Sequence, residues 1–264
     1  MAAGAGPRST AFAGALAFAV AMVLAACGAR TAAVTLPAGS RVLARGSLAY
    51  AVGFADGDRV VSIELEERFA LVVRSADGRG LGRFDLGPAE RDLGALAIGG
   101  DIAWLGGADR RVRGVALADG HVVATWPTGA IVTALIAAPG GWLLIGDADG
   151  ALCLRRLGDG ALLQCVQLDG PVTALAWQDG RAVATAGTRR RGVAVPTLAF
   201  IDAPADPHRL VPVGRELRQG GAVVLHLGGV VRAVAVDEQG RIAVAGWIAR
   251  LDDPSVVLLP TRSR

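Results

Sequence analysis

The feature that most constrains this chain is an internal repeat. Five similar apolar stretches recur along it: AYAVGF (Ala49 to Phe54), LGALAI (Leu93 to Ile98), VTALIA (Val132 to Ala137), VTALAW (Val172 to Trp177) and VRAVAV (Val231 to Val236). With Ala51, Ala95, Ala134, Ala174 and Ala233 taken as equivalent, the spacings are 44, 39, 40 and 59 residues. A period in this range describes a supersecondary unit that cannot bury both of its faces alone and must stack on its neighbours. One continuous domain is therefore expected, although the chain has 264 residues.

The content of each unit points to strands. After each stretch comes a turn rich in Gly and Asp (ADGD, GGD, PGG, QDGR, DEQGR), then a second apolar run such as RVVSI, IAWLGG, WLLIG, RAVATAG or RIAVAG. Third and fourth strands meet at Asp77-Gly78, Asp119-Gly120 and Asp159-Gly160, where Asp tolerates turn geometry and Gly takes positive φ cheaply. Turn and strand signals at this pace indicate an antiparallel meander. Four strands per unit, stacked around an axis, make an all-β fold, a β-propeller of four-stranded antiparallel blades.

Two segments carry a likeness to known repeats. Leu144 to Leu157 (LIGDADGALCLRRL) resembles the second and third strands of a WD-repeat blade, with Asp149-Gly150 in the turn. Ile102 to Trp126 (IAWLGGADRRVRGVALADGHVVATW) resembles the quinoprotein, or PQQ-type, repeat, in which a Gly-containing turn precedes a strand ending in Trp. The resemblance covers most of residues 40–260. The Gly-His and Trp-Asp pairs of WD repeats are missing, so it implies a fold and no specific activity. The quinone enzymes of this repeat type are much larger propellers, so no cofactor is implied.

The fifth unit ends with a third strand, Val256 to Leu259, and Arg41 to Arg45 (RVLAR) precedes the first blade. Pairing the two termini in one blade would leave no free edge. The reading is five blades with N- and C-terminal strands sharing one blade; a sixth blade inside the 59-residue unit is the alternative.

Ahead of the repeats, Ala11 to Leu24 is a 14-residue apolar run behind Arg8, short for a membrane span and suited to a signal peptide. Leu24-Ala25-Ala26-Cys27 follows, and resembles the bacterial lipobox. That resemblance implies cleavage before Cys27, lipidation of its thiol, and an exported protein held on the membrane by acyl chains, on the periplasmic side of an outer membrane or the outer side of a cell membrane. The organisation expected is signal peptide 1–26, lipidated linker 27–39, propeller 40–260 and tail 261–264.

Two further cysteines flank the turn at Asp159-Gly160. A three-residue loop centred on Asp159 would place Cys153 opposite Cys165, at a separation a disulfide accepts, in a protein exported to an oxidising compartment. A two-residue loop would instead oppose Cys153 to Val166, leaving two apolar thiols.

Composition excludes several functions. All 27 basic residues are Arg against 24 acidic ones, giving a net charge of only +3 with 5% aromatics, a poor footprint for nucleic-acid binding. The absence of Lys rules out Schiff-base and P-loop lysine chemistry. No HExxH or GxSxG motif occurs, and His121, His208 and His226 have no carboxylate or Ser patterned around them. Two Cys without nearby His do not complete a metal shell. Asp101, Asp109, Asp149 and Asp237 suit turns, and the first strands supply no pair of opposed carboxylates for glycoside hydrolysis.

The long fourth unit holds the candidate binding residues. Its extra length falls in Thr188 to Gly192, placed between strands, and in Ala203 to Gly221 (APADPHRLVPVGRELRQGG). Long loops on a rigid scaffold commonly carry recognition. Arg189, Arg190, Arg191, Arg209, Arg215 and Arg218 are expected to meet an anionic surface of a partner, most simply another envelope protein. The function expected is therefore a non-enzymatic binding scaffold, with a sensor of small ligands at the channel or a propeller glycosidase as alternatives.

Overall fold

A computed structural model describes residues 34, 36–56, 58–88, 92–178, 180–187, 189–201, 210–219, 222–237, 239–247 and 253–260. The signal-peptide and lipidation expectations, including Cys27, fall outside these residues, as do Arg209 and His208. The chain divides into Met1–Ala33 and a second compact unit, Val34–Arg264.

That second unit is a β-propeller with six blades. Strand β1 (Arg41–Arg45) leads into blade one, formed by β2 (Leu48–Ala55), β3 (Arg59–Leu65), β4 (Phe69–Ser75) and β5 (Gly80–Gly87). Blade two comprises β6 (Leu93–Gly99), β7 (Ile102–Gly107), β8 (Arg111–Ala116) and β9 (Val122–Pro127). Blade three comprises β10 (Val132–Ala138), β11 (Trp142–Asp147), β12 (Ala151–Arg156) and β13 (Leu162–Gln167). Blade four comprises β14 (Val172–Gln178), β15 (Arg181–Ala186), β16 (Arg189–Ala194) and β17 (Ala199–Ile201). Blade five has three described strands, β18 (Leu210–Val213), β19 (Glu216–Gln219) and β20 (Ala222–His226). In blade six, β21 (Val231–Val236), β22 (Ile242–Gly246) and β23 (Pro254–Leu259) are completed by β1.

The five-blade expectation is thus corrected to six, and blade five shows why. Leu227 N donates to Arg215 O at 2.9 Å, as Leu168 N does to Gly150 O and Thr128 N to Arg110 O at the same distance. In blades two and three these bonds tie the residue after the fourth strand to the turn between the second and third. Strands β18, β19 and β20 are therefore the second, third and fourth strands of their blade, and no described strand holds the innermost place. The repeat was counted on inner strands, and this blade presents none with that pattern. The segments expected as loops are also corrected: Arg189 to Arg191 lie on β16, and β18 and β19 run through the stretch from Ala203 to Gly221.

Closure follows the expectation. Strand β1 pairs antiparallel with β23, Arg41 opposite Leu258 and Arg45 opposite Pro254, so the final blade has no unpaired side toward its own outer strand. The closing seam carries a buried polar cluster. Glu64 is 1% exposed and accepts from Ser47 Oγ at 3.0 Å, from Ser62 Oγ at 2.5 Å and from both terminal nitrogens of Arg74; Ser47 and Ser255 hydroxyls lie 3.1 Å apart. Burial alone would raise the Glu64 pKa, but the Arg74 charge and hydrogen bonds, with the two serines, outweigh it and hold the carboxyl below its ordinary value.

The core is distributed between blades. One apolar cluster fills each of five seams, for example Ile63, Leu71, Leu93 and Leu105 between blades one and two, and Leu144, Leu152, Val172 and Val193 between three and four. None forms between blades four and five among the described residues. Two of the filled seams share a lock: a Cβ on Gly106 would lie 2.4 Å from Val132, and one on Gly146 would lie 2.3 Å from Val172. The first residue of each inner strand thus seats on a glycine of the preceding blade, 40 residues after the same pair in the preceding repeat.

The hairpin of β12 and β13 brings Cys153 directly opposite Cys165, Cα to Cα 4.1 Å, and the two form a disulfide. The cysteines oppose each other as expected, but the turn differs from the simple three-residue loop: Arg155 faces Leu162 next to it, and a register shift between Leu154 and Arg155 brings Cys153 opposite Cys165, with Gly160 at φ 71°.

Candidate functional site: the mouth of the axial channel

Each inner strand carries a bulge at the same place. The register shifts between Ala49 and Ala51, Leu93 and Ala95, Val132 and Ala134, Val172 and Ala174, and Val231 and Ala233. A bulge re-aims the extra side chain. Here the extra residues are Tyr50, Gly94, Thr133, Thr173 and Arg232, and all five line one cavity of ≈ 560 Å³ on the axis. The deeper lining is apolar and small, with Ala51, Ala95, Ala134, Ala174 and Ala233 repeating around it.

The polar ring is held by the blades themselves. Thr133 Oγ1 donates to Val172 O at 2.5 Å and Gly146 O at 3.2 Å, which joins blades three and four across the seam. Thr173 Oγ1 lies 3.4 Å from Thr185 O. On the other side, the Arg232 guanidinium stands 4.7 Å from the Trp247 ring centroid and 6.0 Å from that of Tyr50, within range of cation–π attraction. Tyr50 in turn packs against Trp247 at 5.5 Å and edge-on to Phe69 at 5.0 Å. Burial first, then the Asp92 charge, push the Tyr50 hydroxyl above its ordinary pKa, against the opposing pull of Arg232; it is a neutral donor at physiological pH.

A second cation reaches the cavity because no described inner strand covers blade four on this side. Val183, Thr185 and Arg190, on the second and third strands of that blade, line the cavity together with Leu210 and Pro212 of β18. Arg190 donates to Gln178 Oε1 at 3.4 Å. Among the described residues the lining thus contains two arginines, one on each side of blade five, and no Asp or Glu.

Of the six arginines expected to act together, the five that are described separate. Arg189 and Arg191 alternate to the opposite face of β16, beside Gln167, Leu168 and Phe200, and Arg189 pairs with Asp169 at 3.0 Å. Arg218 pairs with Glu216. Arg215 sits in the turn between β18 and β19, whose Gly214 O accepts from Val231 N at 2.7 Å, next to Arg232. Of these five, only Arg190 faces the channel. Arg232, Tyr50 and the two threonines were not singled out from the sequence, although the second position of the repeated inner-strand pattern is where the five stretches differ in chemistry. The four aspartates weighed as carboxylate candidates serve turns: Asp101 pairs with Arg59, Asp109 with Arg113, and Asp237 accepts backbone N–H groups of Gln239 and Arg241. Among the described residues no group of His, Cys, Asp or Glu could hold a metal ion.

Neither a protein-family profile nor a curated protein sequence matches the chain. Solved structures do. The WD40 repeats of RRP9 superpose with a TM-score of 0.66 at 14% identity, over 87% of this chain and 100% of that one. A structure of U3-55K gives a TM-score of 0.66 at 13% identity, over 85% and 99%. The fold is a WD-repeat-like β-propeller. At these identities the likeness extends to architecture alone.

Proposed function

We propose that this protein is a non-enzymatic cell-envelope lipoprotein whose propeller serves as a binding scaffold for another envelope protein, engaged at the channel mouth. The observation that carries the reading is the bulge ring: one position per inner strand varies in chemistry and faces the axis, on strands that otherwise repeat small apolar residues. A rigid frame that varies only at its rim is suited to recognition. The described residues of the cavity lining offer no carboxylate for hydrolysis, which needs two. The Leu24-Ala25-Ala26-Cys27 run supports export and anchoring, and a hairpin disulfide suits an oxidising compartment.

In-cell cross-linking of the tagged protein followed by mass spectrometry tests this. Gly94 faces open space at the mouth, so Gly94→Trp obstructs the rim without disturbing a seam. Reproducible capture of one envelope protein, lost in Gly94→Trp, is expected. Absence of any specific capture by the unaltered protein rejects the scaffold reading. A second reading, a sensor of a small ligand, draws on the cavity volume, which lies within the usual range for ligand pockets. The anchor is checked separately: Cys27→Ala is expected to release the protein from the membrane fraction.

A further inference from the structure

The scaffold reading leaves the partner's chemistry open, and the charge at the mouth supplies it. Resting on that reading, we infer that the mouth docks an extended acidic segment of the partner protein, held by Arg190 and Arg232 at either side of blade five. Three observations carry this. Among the described residues the two guanidinium groups are the only charged side chains of the cavity lining. Among the same residues neither is in an ion pair: Arg190 meets the neutral Gln178 amide, and Arg232 lies over the rings of Trp247 and Tyr50. Most other arginines near this end of the propeller are already neutralised, Arg189 by Asp169, Arg113 by Asp109 and Arg218 by Glu216. The two at the mouth therefore retain their capacity for bidentate bonds to carboxylates.

The surroundings favour a peptide over a small anion. The walls between and below the arginines are Ala, Val, Leu and Pro, which suit the aliphatic stems and small side chains of a chain segment. The inner strand β14 is open here, with Ala174 and Ala176 exposed. Arg232 on its aromatic platform is pre-organised, so little rotamer freedom remains to be lost on binding. The neighbouring turn adds Arg215, bonded through Gly214 to the start of β21, as a third cation for a segment with more than one acidic residue.

The test is fluorescence anisotropy with the full chain in mild detergent. The probe is a fluorescein-labelled peptide of alternating Glu and Ala, six residues long, against the same peptide with Gln for Glu. Binding of the Glu peptide, at least tenfold tighter than the Gln peptide, is expected, with a tenfold loss in Arg190→Gln and in Arg232→Gln. Arg218→Gln, whose arginine is already paired, should leave binding unchanged. Arg232 supports two rings, so its variant is checked by thermal melting; among the described residues Arg190 stacks on no ring and donates one side-chain hydrogen bond, to Gln178, so Arg190→Gln keeps the test decisive if Arg232→Gln is unstable. Equal binding of the two peptides, or binding indifferent to both substitutions, overturns the inference. So does displacement of the peptide by inorganic phosphate at equal concentration, which would mark a small-anion site. In-cell cross-linking separates this from the scaffold reading: capture that persists unchanged in the Arg190→Gln, Arg232→Gln double variant defeats the acidic-segment inference alone, whereas no capture by the unaltered protein defeats the scaffold itself.

Discussion

Glu64 is the residue on which the closing seam turns. Its carboxylate is buried and its charge is answered by Arg74, itself 14% exposed in its side chain. Removing one partner of such a pair leaves the other buried and uncompensated, a cost of about 3–5 kcal/mol. Glu64→Gln is expected to lose stability on that scale at pH 7, measured by urea denaturation, while Glu64→Leu with Arg74→Met should recover part of it. The pH dependence has a definite sign. The folded pKa is lowered, so the stabilisation is fully present above the unfolded carboxyl value of about 4.3 and fades as pH falls through the folded value. The urea midpoints of the unaltered protein and Glu64→Gln should therefore converge below about pH 4; a constant gap from pH 7 to pH 3 would remove Glu64 from this role. None of this was legible in the sequence, because Glu64 alternates with apolar residues as a solvent-facing strand residue would. Its partners arrive from β3 itself, from β4 and from the β1–β2 connection, whose Ser47 in turn meets Ser255 of the last strand.

At the level of strands, the inner elements were legible because each repeats small apolar residues at a nearly constant distance, and the Asp-Gly turns fixed the outer hairpins. The hairpin of β12 and β13 shows the reach and the limit of such reasoning: loop length sets register next to the turn, where Arg155 faces Leu162, and a shift just beyond it, not visible in the sequence, brings Cys153 opposite Cys165. Intact mass after alkylation, with and without reductant, should show both thiols blocked until reduction, and reduction should cost about 3 kcal/mol for a loop of this size. What the strand pattern did not reveal was the seat each blade provides for the next. Gly146 reads as an ordinary strand-end glycine, yet any Cβ there meets Val172. Gly146→Ala and Gly106→Ala are expected to destabilise by about 1–3 kcal/mol each through overpacking, and Gly94→Ala, in open space, by much less. Equal melting temperatures for all three would show that the seams yield. Blade five escaped detection for the complementary reason: its described strands are short, carry Pro212 and Arg218 instead of the repeated apolar pattern, and do not include the inner strand by which repeats were counted.

At the level of the whole molecule, stability depends on a ring whose last seam is closed by five residues from the other end of the chain. Without β1, the N–H and C=O groups along β23 at Val256, Val257 and Leu258 would face solvent on an apolar strand, a template for pairing with another copy. Removing residues 41–45 is expected to lower the melting temperature and to produce concentration-dependent association in light scattering. That result alone would not separate strand pairing from mere truncation. A circular permutant does. Because Arg41 lies opposite Leu258 at the same end of the sheet, an Asn-Gly turn can join Leu259 to Arg41, so that β1 follows β23 as a hairpin and the new chain begins at Ser47. Such a permutant keeps every strand of the described blades, changes the connectivity, and lacks what precedes Arg41, including Leu36, which packs on the cluster between blades five and six. It should remain monomeric and melt near the unaltered protein, because a propeller closed by hydrogen bonds is indifferent to which terminus supplies the strand. If it associates as the truncated chain does, closure depends on what precedes Arg41, and the pairing of β1 with β23 is a consequence of folding with no part in securing it.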